Sequence, residues 1–282
     1  MDWLDTLILG IVQGLTEYLP VSSSGHLEIS KTVLGSDLEG GASLQLSLIL
    51  HVATVLSTIV ILWREFWPLV KSFFCFKRDD NFYYVCKILV SCIPVAIVGF
   101  AFKDTIESLF EGNLMVVGVC LLVTALLLSF AYFTRTRMAL RNPDAPQGRD
   151  ISWVDALVIG CSQAVAVLPG LSRSGTTIAT GILLGNNREK VAKFSFFMVI
   201  IPILGEGLLD IKDMLFPAIS EAATEAATVS PLALIVGFLA SFIVGCLACK
   251  WMLSIVKKGK LVWFAVYCLL VGAFCVVWSL TH

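Results

Sequence analysis

The sequence predicts an all-α integral membrane protein built as an inverted-topology repeat, each half a re-entrant broken helix pair plus three transmembrane helices. Three observations carry that expectation: an apolar composition, two apolar stretches interrupted at their centres, and self-similarity at a shift of 150 positions. Of the 282 residues, 57% are hydrophobic and only 15% charged. A mean hydropathy of +0.88 lies far above that of a water-soluble domain, so a bilayer is the expected solvent.

A helix crosses a hydrocarbon layer roughly 30 Å thick with about 20 apolar residues. Along the chain, residues 4–34 are apolar but broken near the middle by Pro20, Gly25 and a run of serines, and read as two half-helices joined by a loop. Full spans are expected at residues 44–63, 85–102 and 114–133. The basic, proline-containing stretch 134–150 reads as a cytoplasmic linker. A second broken segment at 154–185 follows, then spans at 191–209, 232–252 and 261–278. An irregular backbone inside hydrocarbon leaves polar groups unpaired at several kcal/mol each, unless protein or a wet cavity surrounds it. The two breaks therefore point at a site.

The shift of 150 positions superposes Trp3 on Trp153, Asp5 on Asp155, Gly10 on Gly160, Gln13 on Gln163, Ser22 on Ser172, Ser24 on Ser174, Gly25 on Gly175 and Gly35 on Gly185, without a gap. The chain thus reads as a single membrane domain, 1–282, with internal repeats 1–133 and 151–282. Three full spans are an odd number of crossings, so the second copy starts on the opposite face. Inverted repeats with paired broken helices place their site near the membrane middle, where half-helix N-termini face anions.

Basic residues set the orientation. With re-entrant broken segments, one side collects Arg64, Lys71, Lys77, Arg78 and Lys87, then Arg135, Arg137, Arg141 and Arg149, then Arg188, Lys190 and Lys193, then Lys250, Lys257, Lys258 and Lys260. Only four of the 20 Lys and Arg residues fall elsewhere, while the opposite loops carry Asp104, Glu107, Glu111, Asp210, Asp213, Glu221 and Glu225. By the positive-inside rule the basic side, with Gly259, is cytoplasmic, and both termini, including His282, lie outside. The nine cysteines sit mostly within apolar spans and suggest no disulfide framework, and Cys246 and Cys249 read as two small residues on one helix face. Gly237, Ser241 and Gly245, four apart, read as a helix-packing face.

Chemistry concentrates at the breaks. Gln13 and Glu17 are one helical turn apart and share a face, and an acidic residue in the apolar phase is a functional candidate by default. The alternative for Glu17 is a carboxylate satisfied by loop backbone. Ser22, Ser23, Ser24 and Gly25 offer hydroxyls and a flexible backbone whose amides can surround a phosphate. His26 can give or take a proton near neutrality. In the second half, Arg173 is the one Lys or Arg at the centre of an apolar segment, flanked by Ser172, Ser174, Thr176 and Thr177 and by Gly175. Its planar fork suits a phosphate, and at that depth it requires an anion, either Glu17 or a ligand. His51 is also intramembrane but has no polar cluster beside it in sequence, and is left without a role.

The strings QGLTEYLPVSSSGH and LPGLSRSGTT, their order, the chain length and the repeat closely resemble the undecaprenyl-diphosphate phosphatases of the bacitracin-resistance type, over essentially the whole chain. The resemblance implies a multi-pass phosphatase of the bacterial inner membrane, its site opening to the periplasm. It converts undecaprenyl diphosphate to the monophosphate carrier of peptidoglycan synthesis, confers bacitracin resistance and depends on a divalent cation, Mg2+ or Ca2+. It assigns Gln13 and Glu17 to an acidic motif, Ser23 and His26 to a serine-histidine element, and Ser172, Arg173 and Ser174, with Thr177 beyond, to a phosphate motif. Glu17, Ser23, His26 and Arg173 become the catalytic candidates, with Glu17 as the metal ligand; Gln13, Ser22, Ser24, Gly25, Ser172, Ser174, Gly175 and Thr177 become substrate contacts. Gln at position 13 leaves Glu17 the one strong acid of its motif, which puts a two-carboxylate metal site in doubt. Ser23, water or His26 can each be the nucleophile. Membrane lipids and a second copy of the chain are further candidate partners, and no nucleic acid is expected. A second class of membrane lipid phosphatase needs a histidine about six residues after its arginine; Ser, Gly, Thr, Thr, Ile and Ala follow Arg173 instead. A secondary transporter or lipid flippase shares the architecture and is the alternative from another functional class.

Overall fold

A computed structural model describes residues 3–35, 41–102, 114–141, 148–215 and 229–281. Among the described residues the chain forms twelve helices: α1 (Trp3–Thr16), α2 (Ser23–Leu34), α3 (Gly41–Ile61), α4 (Trp63–Phe74), α5 (Asp80–Ala101), α6 (Leu114–Arg141), α7 (Trp153–Val165), α8 (Arg173–Leu183), α9 (Arg188–Met198), α10 (Ile200–Leu215), α11 (Pro231–Lys257) and α12 (Val262–Thr281). Helix α5, residues 114–137 of α6, α11 and α12 are each long and apolar enough to cross a membrane, and α3 with α4 adds a pair bent by 93°. The protein is therefore a multi-pass, all-helical membrane protein.

Both expected breaks are present. Helix α1 stops at Thr16, where the Thr16 hydroxyl donates to Val12 O (2.7 Å), and Pro20 has no N–H with which to continue a helix. Helix α2 restarts behind the N-cap Ser22, whose side chain accepts from Gly25 N, and α8 restarts behind Ser172, whose side chain accepts from Gly175 N. The breaks are pressed together: Ser174 Oγ donates to Leu19 O (3.2 Å), and a methyl added at Gly175 would lie 3.1 Å from Pro20 Cβ.

Three expectations need correction. The span at 191–209 is two helices, because Pro202 of α10 cannot donate to Met198 O; that carbonyl accepts the Cys92 thiol instead, and the helix resets at Val199. The stretch after the first full span is no loop but α4, an amphipathic helix with Leu69 and Ser72 buried and Trp63 and Trp67 exposed, as suits a membrane interface. The linker begins later than residue 134, since α6 continues to Arg141.

Helix α1 packs against α11, α7 against α5, and α6 against α12. Small residues permit the first contact: a methyl at Gly14 would stand 2.5 Å from Ser241 O, and Gly10 abuts Gly237, which is the packing face expected of Gly237, Ser241 and Gly245. The described cysteines are all free thiols.

One end of the bundle gathers the basic loops. Lys193 pairs with Glu65 (3.0 Å) and Glu189 (3.2 Å), and Glu189 with Lys257 (3.1 Å), joining α4, α9 and α11. Arg149 grips Asp155 through both terminal nitrogens (2.5 and 2.8 Å), and its backbone bonds Gly185 O and Asn187 N. The start of α7 and the end of α8 therefore meet at this end. Asp104, Glu107, Glu111, Glu221, Glu225 and His282 lie outside the described residues, as do the side chains of Asp210 and Asp213.

Candidate active site

Glu17 organises the first break. Its Oε2 accepts from Gln13 Nε2 (3.0 Å) and from Ser23 Oγ (2.6 Å), and its side chain is 8% exposed. The adjacent Tyr18 is clamped to α3, donating to Thr54 O (2.6 Å) and meeting the Ser57 and Thr58 hydroxyls, so the carboxylate sits on a fixed backbone. Ser23 is the first residue of α2. The residue before it, Ser22, holds φ 70°, a left-handed conformation that costs a non-glycine residue of order 1–3 kcal/mol and marks a position over-determined by its surroundings.

Arg173 is the first residue of α8 and lines one narrow cavity together with Glu17, Tyr18, Thr58, Ser174 and Ser195. Among the described residues its guanidinium makes no ion pair, so Glu17 is its neighbour across the cavity rather than its bonded partner. The cavity measures about 20 Å³, room for about one water. Ile203 lines it and also lines a wholly apolar groove of about 690 Å³ between α3, α10 and α11, walled by Leu48, Val52, Leu204, Leu234 and Phe238.

The other predicted residues are placed as follows. Ser22 and Ser172 commit their hydroxyls to helix caps, each also 3.4 Å from the serine two positions on, Ser24 and Ser174. Gly25 packs on Gly170, a methyl there lying 3.1 Å from Gly170 Cα. Thr177 faces inward, donating to Arg173 O (2.9 Å) and meeting Ser195 Oγ (2.6 Å), which makes it a brace behind the cavity. His26 is turned toward α12. Its Nδ1 lies 2.8 Å from Ser22 O, which can only accept, so Nδ1 carries a proton; Nε2 lies 2.7 Å from Tyr267 Oη. Both ring nitrogens are engaged away from Glu17 and Ser23, and it is Glu17 that accepts the Ser23 hydroxyl proton bond.

Sequence reasoning missed His51. Its Nδ1 donates to Ser47 O (2.8 Å) and its Nε2 stands 3.8 Å from Glu17 Oε2, so it does belong to a polar cluster. The available signal was Ser47, His51, Thr54 and Thr58 at helical spacing along one face of a largely apolar span. It also missed Tyr267, which comes from 241 positions away in sequence.

Residues 6–274 match the family described as bacitracin resistance protein BacA. The chain belongs to that family. Among similar proteins, an undecaprenyl-diphosphatase of Bacteroides fragilis is 52% identical over 99% of each chain, and that of Parabacteroides distasonis is 52% identical over 96% of each. The undecaprenyl-diphosphatase of Methanosphaera stadtmanae is 37% identical over 99% of each chain.

Proposed function

We propose that this protein hydrolyses undecaprenyl diphosphate to undecaprenyl phosphate and inorganic phosphate, recycling the lipid carrier of peptidoglycan synthesis and thereby conferring bacitracin resistance. The observation that carries the reading is the meeting at Ile203 of a small cavity lined by Glu17 and Arg173 with an apolar groove. An amphiphile with an anionic head and a long hydrocarbon tail matches the chemistry of the two linings, and the 20 Å³ cavity has to widen to admit its phosphoryl group. The identities above, over nearly the full chain, favour the same substrate.

In this reading Ser23 attacks the terminal phosphorus, with Glu17 accepting its proton through the 2.6 Å contact. Arg173 receives the phosphoryl oxygens in bidentate fashion, and the half-helix N-termini at Ser23 and Arg173 add positive potential. The phosphorus–bridging-oxygen bond breaks, the lipid monophosphate leaves, and water then releases phosphate from the serine. Water activated by Glu17 is the direct-attack alternative. His26, held between Ser22 O and Tyr267, serves as the acid toward the leaving lipid phosphate only if its ring turns from α12.

The donor set fits a divalent cation that arrives with the diphosphate. Among the described residues no group of three or more His, Cys, Asp and Glu side chains could hold an ion. Glu17 is the one carboxylate, and one turn away the buried Gln13 Oε1 has no hydrogen-bond partner. Mg2+ characteristically takes one or two carboxylates plus substrate phosphates and water. Bound so, it would neutralise phosphoryl charge.

The inverted repeat also belongs to this reading. The 150-position shift carries the α1–α11 contact onto α7–α5, so the halves exchange equivalent partners. The meeting of the α7 start with the α8 end supports a re-entrant pair. The basic end is then cytoplasmic and the catalytic cavity opens to the periplasm.

Purified protein in detergent should release phosphate from a polyprenyl diphosphate with no energy source. Incubation with substrate labelled in the terminal phosphate and rapid acid quenching should trap label on Ser23. Lipid movement across liposomes without phosphate release would favour a flippase instead.

A further inference from the structure

His51 stands on the membrane-embedded helix α3, with its side chain 18% exposed. A histidine at that depth carries a cost unless the ring is used. One nitrogen is accounted for: Nδ1 donates to the carbonyl of Ser47 one turn earlier, at 2.8 Å. That bond fixes the ring plane and aims Nε2 at Glu17 Oε2, 3.8 Å away. Nδ1 already holds a proton against Ser47 O, so Nε2 attracts the carboxylate only when it carries one too; the contact is then a charge contact, and it favours the carboxylate orientation in which Oε2 faces Ser23. The oxygen that His51 faces is the same one that accepts the Ser23 hydroxyl at 2.6 Å and the Gln13 amide at 3.0 Å. Three groups from three separate segments therefore converge on one carboxylate oxygen. A histidine present only to cap a turn would need Ser47 and nothing beyond it.

We propose that His51 is a positioning residue that holds the Glu17 carboxylate toward the Ser23 hydroxyl. It touches neither the phosphate nor the nucleophile and acts only through Glu17. This rests on the phosphatase reading above, in which Glu17 takes the Ser23 proton.

Two substitutions separate the ring's two ends. Asparagine can place an amide N–H where Nδ1 lies and so keep the Ser47 contact, but it is too short to reach Glu17. Glutamine extends to where Nε2 lies and can still offer Glu17 a donor. Phosphate release from a short polyprenyl diphosphate should show His51→Asn with kcat lowered about 10- to 100-fold and KM within about twofold of wild type, the pattern of a displaced catalytic group. His51→Gln should recover most of kcat. An infrared difference spectrum, taken against Glu17→Gln to isolate the Glu17 carboxylate band, should shift in His51→Asn and return in His51→Gln. Thermal midpoints of both variants confirm that the fold persists; were His51→Asn to unfold, His51→Gln with wild-type kcat and carboxylate band carries the support, and loss of either overturns it. Wild-type kcat in His51→Asn overturns the proposal. So does His51→Gln as slow as His51→Asn, which would make the imidazole itself the proton carrier, or a change confined to KM, which would put His51 on the substrate. If the wild-type protein releases no phosphate, the parent reading fails, while the infrared arm still decides whether His51 holds Glu17.

Discussion

Replacing Arg173 by lysine tests the phosphate clamp most directly. Arg173 opens α8, lines the cavity that Glu17 lines, and is committed to no ion pair among the described residues, so its guanidinium is available to a ligand anion. Lysine keeps the charge but offers a compact, strongly hydrated ammonium in place of a planar fork, and cannot reproduce two parallel hydrogen bonds to a phosphoryl group. Losing one preorganised contact of this kind costs about 10²- to 10³-fold in turnover, roughly 3 to 4 kcal/mol. Arg173→Ala removes the charge as well; a unit pair at about 5 Å and an effective dielectric of about 20 is worth about 3 kcal/mol, a further 100-fold or so. The assay is phosphate release from a polyprenyl diphosphate by wild type, Arg173→Lys and Arg173→Ala in one detergent, with thermal midpoints for each. Midpoints should stay close to wild type because the described fold gives Arg173 no bonded partner to lose. A structural Arg173–Glu17 pair requires the opposite: Lys tolerated, and Glu17→Gln as destabilising as Arg173→Ala. Near-normal turnover in Arg173→Lys refutes the clamp.

Other outcomes follow from the same geometry. Glu17→Gln keeps an oxygen facing Ser23 but not a proton acceptor, so phosphate release should fall at least about 100-fold with little change in thermal midpoint; full turnover would remove Glu17 from the chemistry. Gly14→Leu drives a side chain into Ser241 of α11, where even a methyl carbon would stand 2.5 Å from the carbonyl oxygen, and should cost about 1 to 3 kcal/mol of stability. An unshifted unfolding midpoint would contradict that packing. Reporter fusions at Gly259 and after His282 should report opposite faces of the membrane, and two cytoplasmic signals would overturn the inverted repeat.

What the sequence made legible was the location of the breaks and the residues within them. Pro20 and Pro169 each stand four residues past the last residue of a helix, Thr16 and Val165, whose carbonyl they cannot serve, and that backbone chemistry is local and therefore readable. The shift of 150 positions exposed Ser22 and Ser172 as counterparts before either was placed. Less legible was anything decided by contact across the fold. His26 reads as a partner for Ser23, three residues away, yet its Nε2 is taken by Tyr267 of α12. His51 reads as isolated because its carboxylate partner lies 34 residues earlier in sequence, on another helix. The division of the 191–209 span was present in the sequence as Pro202, but hydropathy averages over a proline, and only the carbonyl it leaves at Met198 reveals the consequence.

The two breaks also differ in a way that bears on mechanism. Ser23 and Arg173 occupy the same register, each the first residue of a half-helix behind a serine cap, separated by the repeat shift. Both project from the positive end of a helix dipole, and Arg173 lines the cavity whose Glu17 binds Ser23. Under the proposed mechanism the asymmetry has a use. Two arginines would leave no hydroxyl to attack, and two serines would leave the phosphoryl charge without its clamp. The carboxylate is likewise unpaired by the repeat: the position equivalent to Glu17 is Val167. A second acid in so small a space would raise the proton affinity of the first and repel the diphosphate. The amide survives in both halves, but Gln13 donates to Glu17 whereas Gln163, 1% exposed, has neither its nitrogen nor its oxygen bonded. The second half thus retains the amide that serves the carboxylate without the carboxylate itself, as expected if the acid–base function had settled on one copy and the anion clamp on the other.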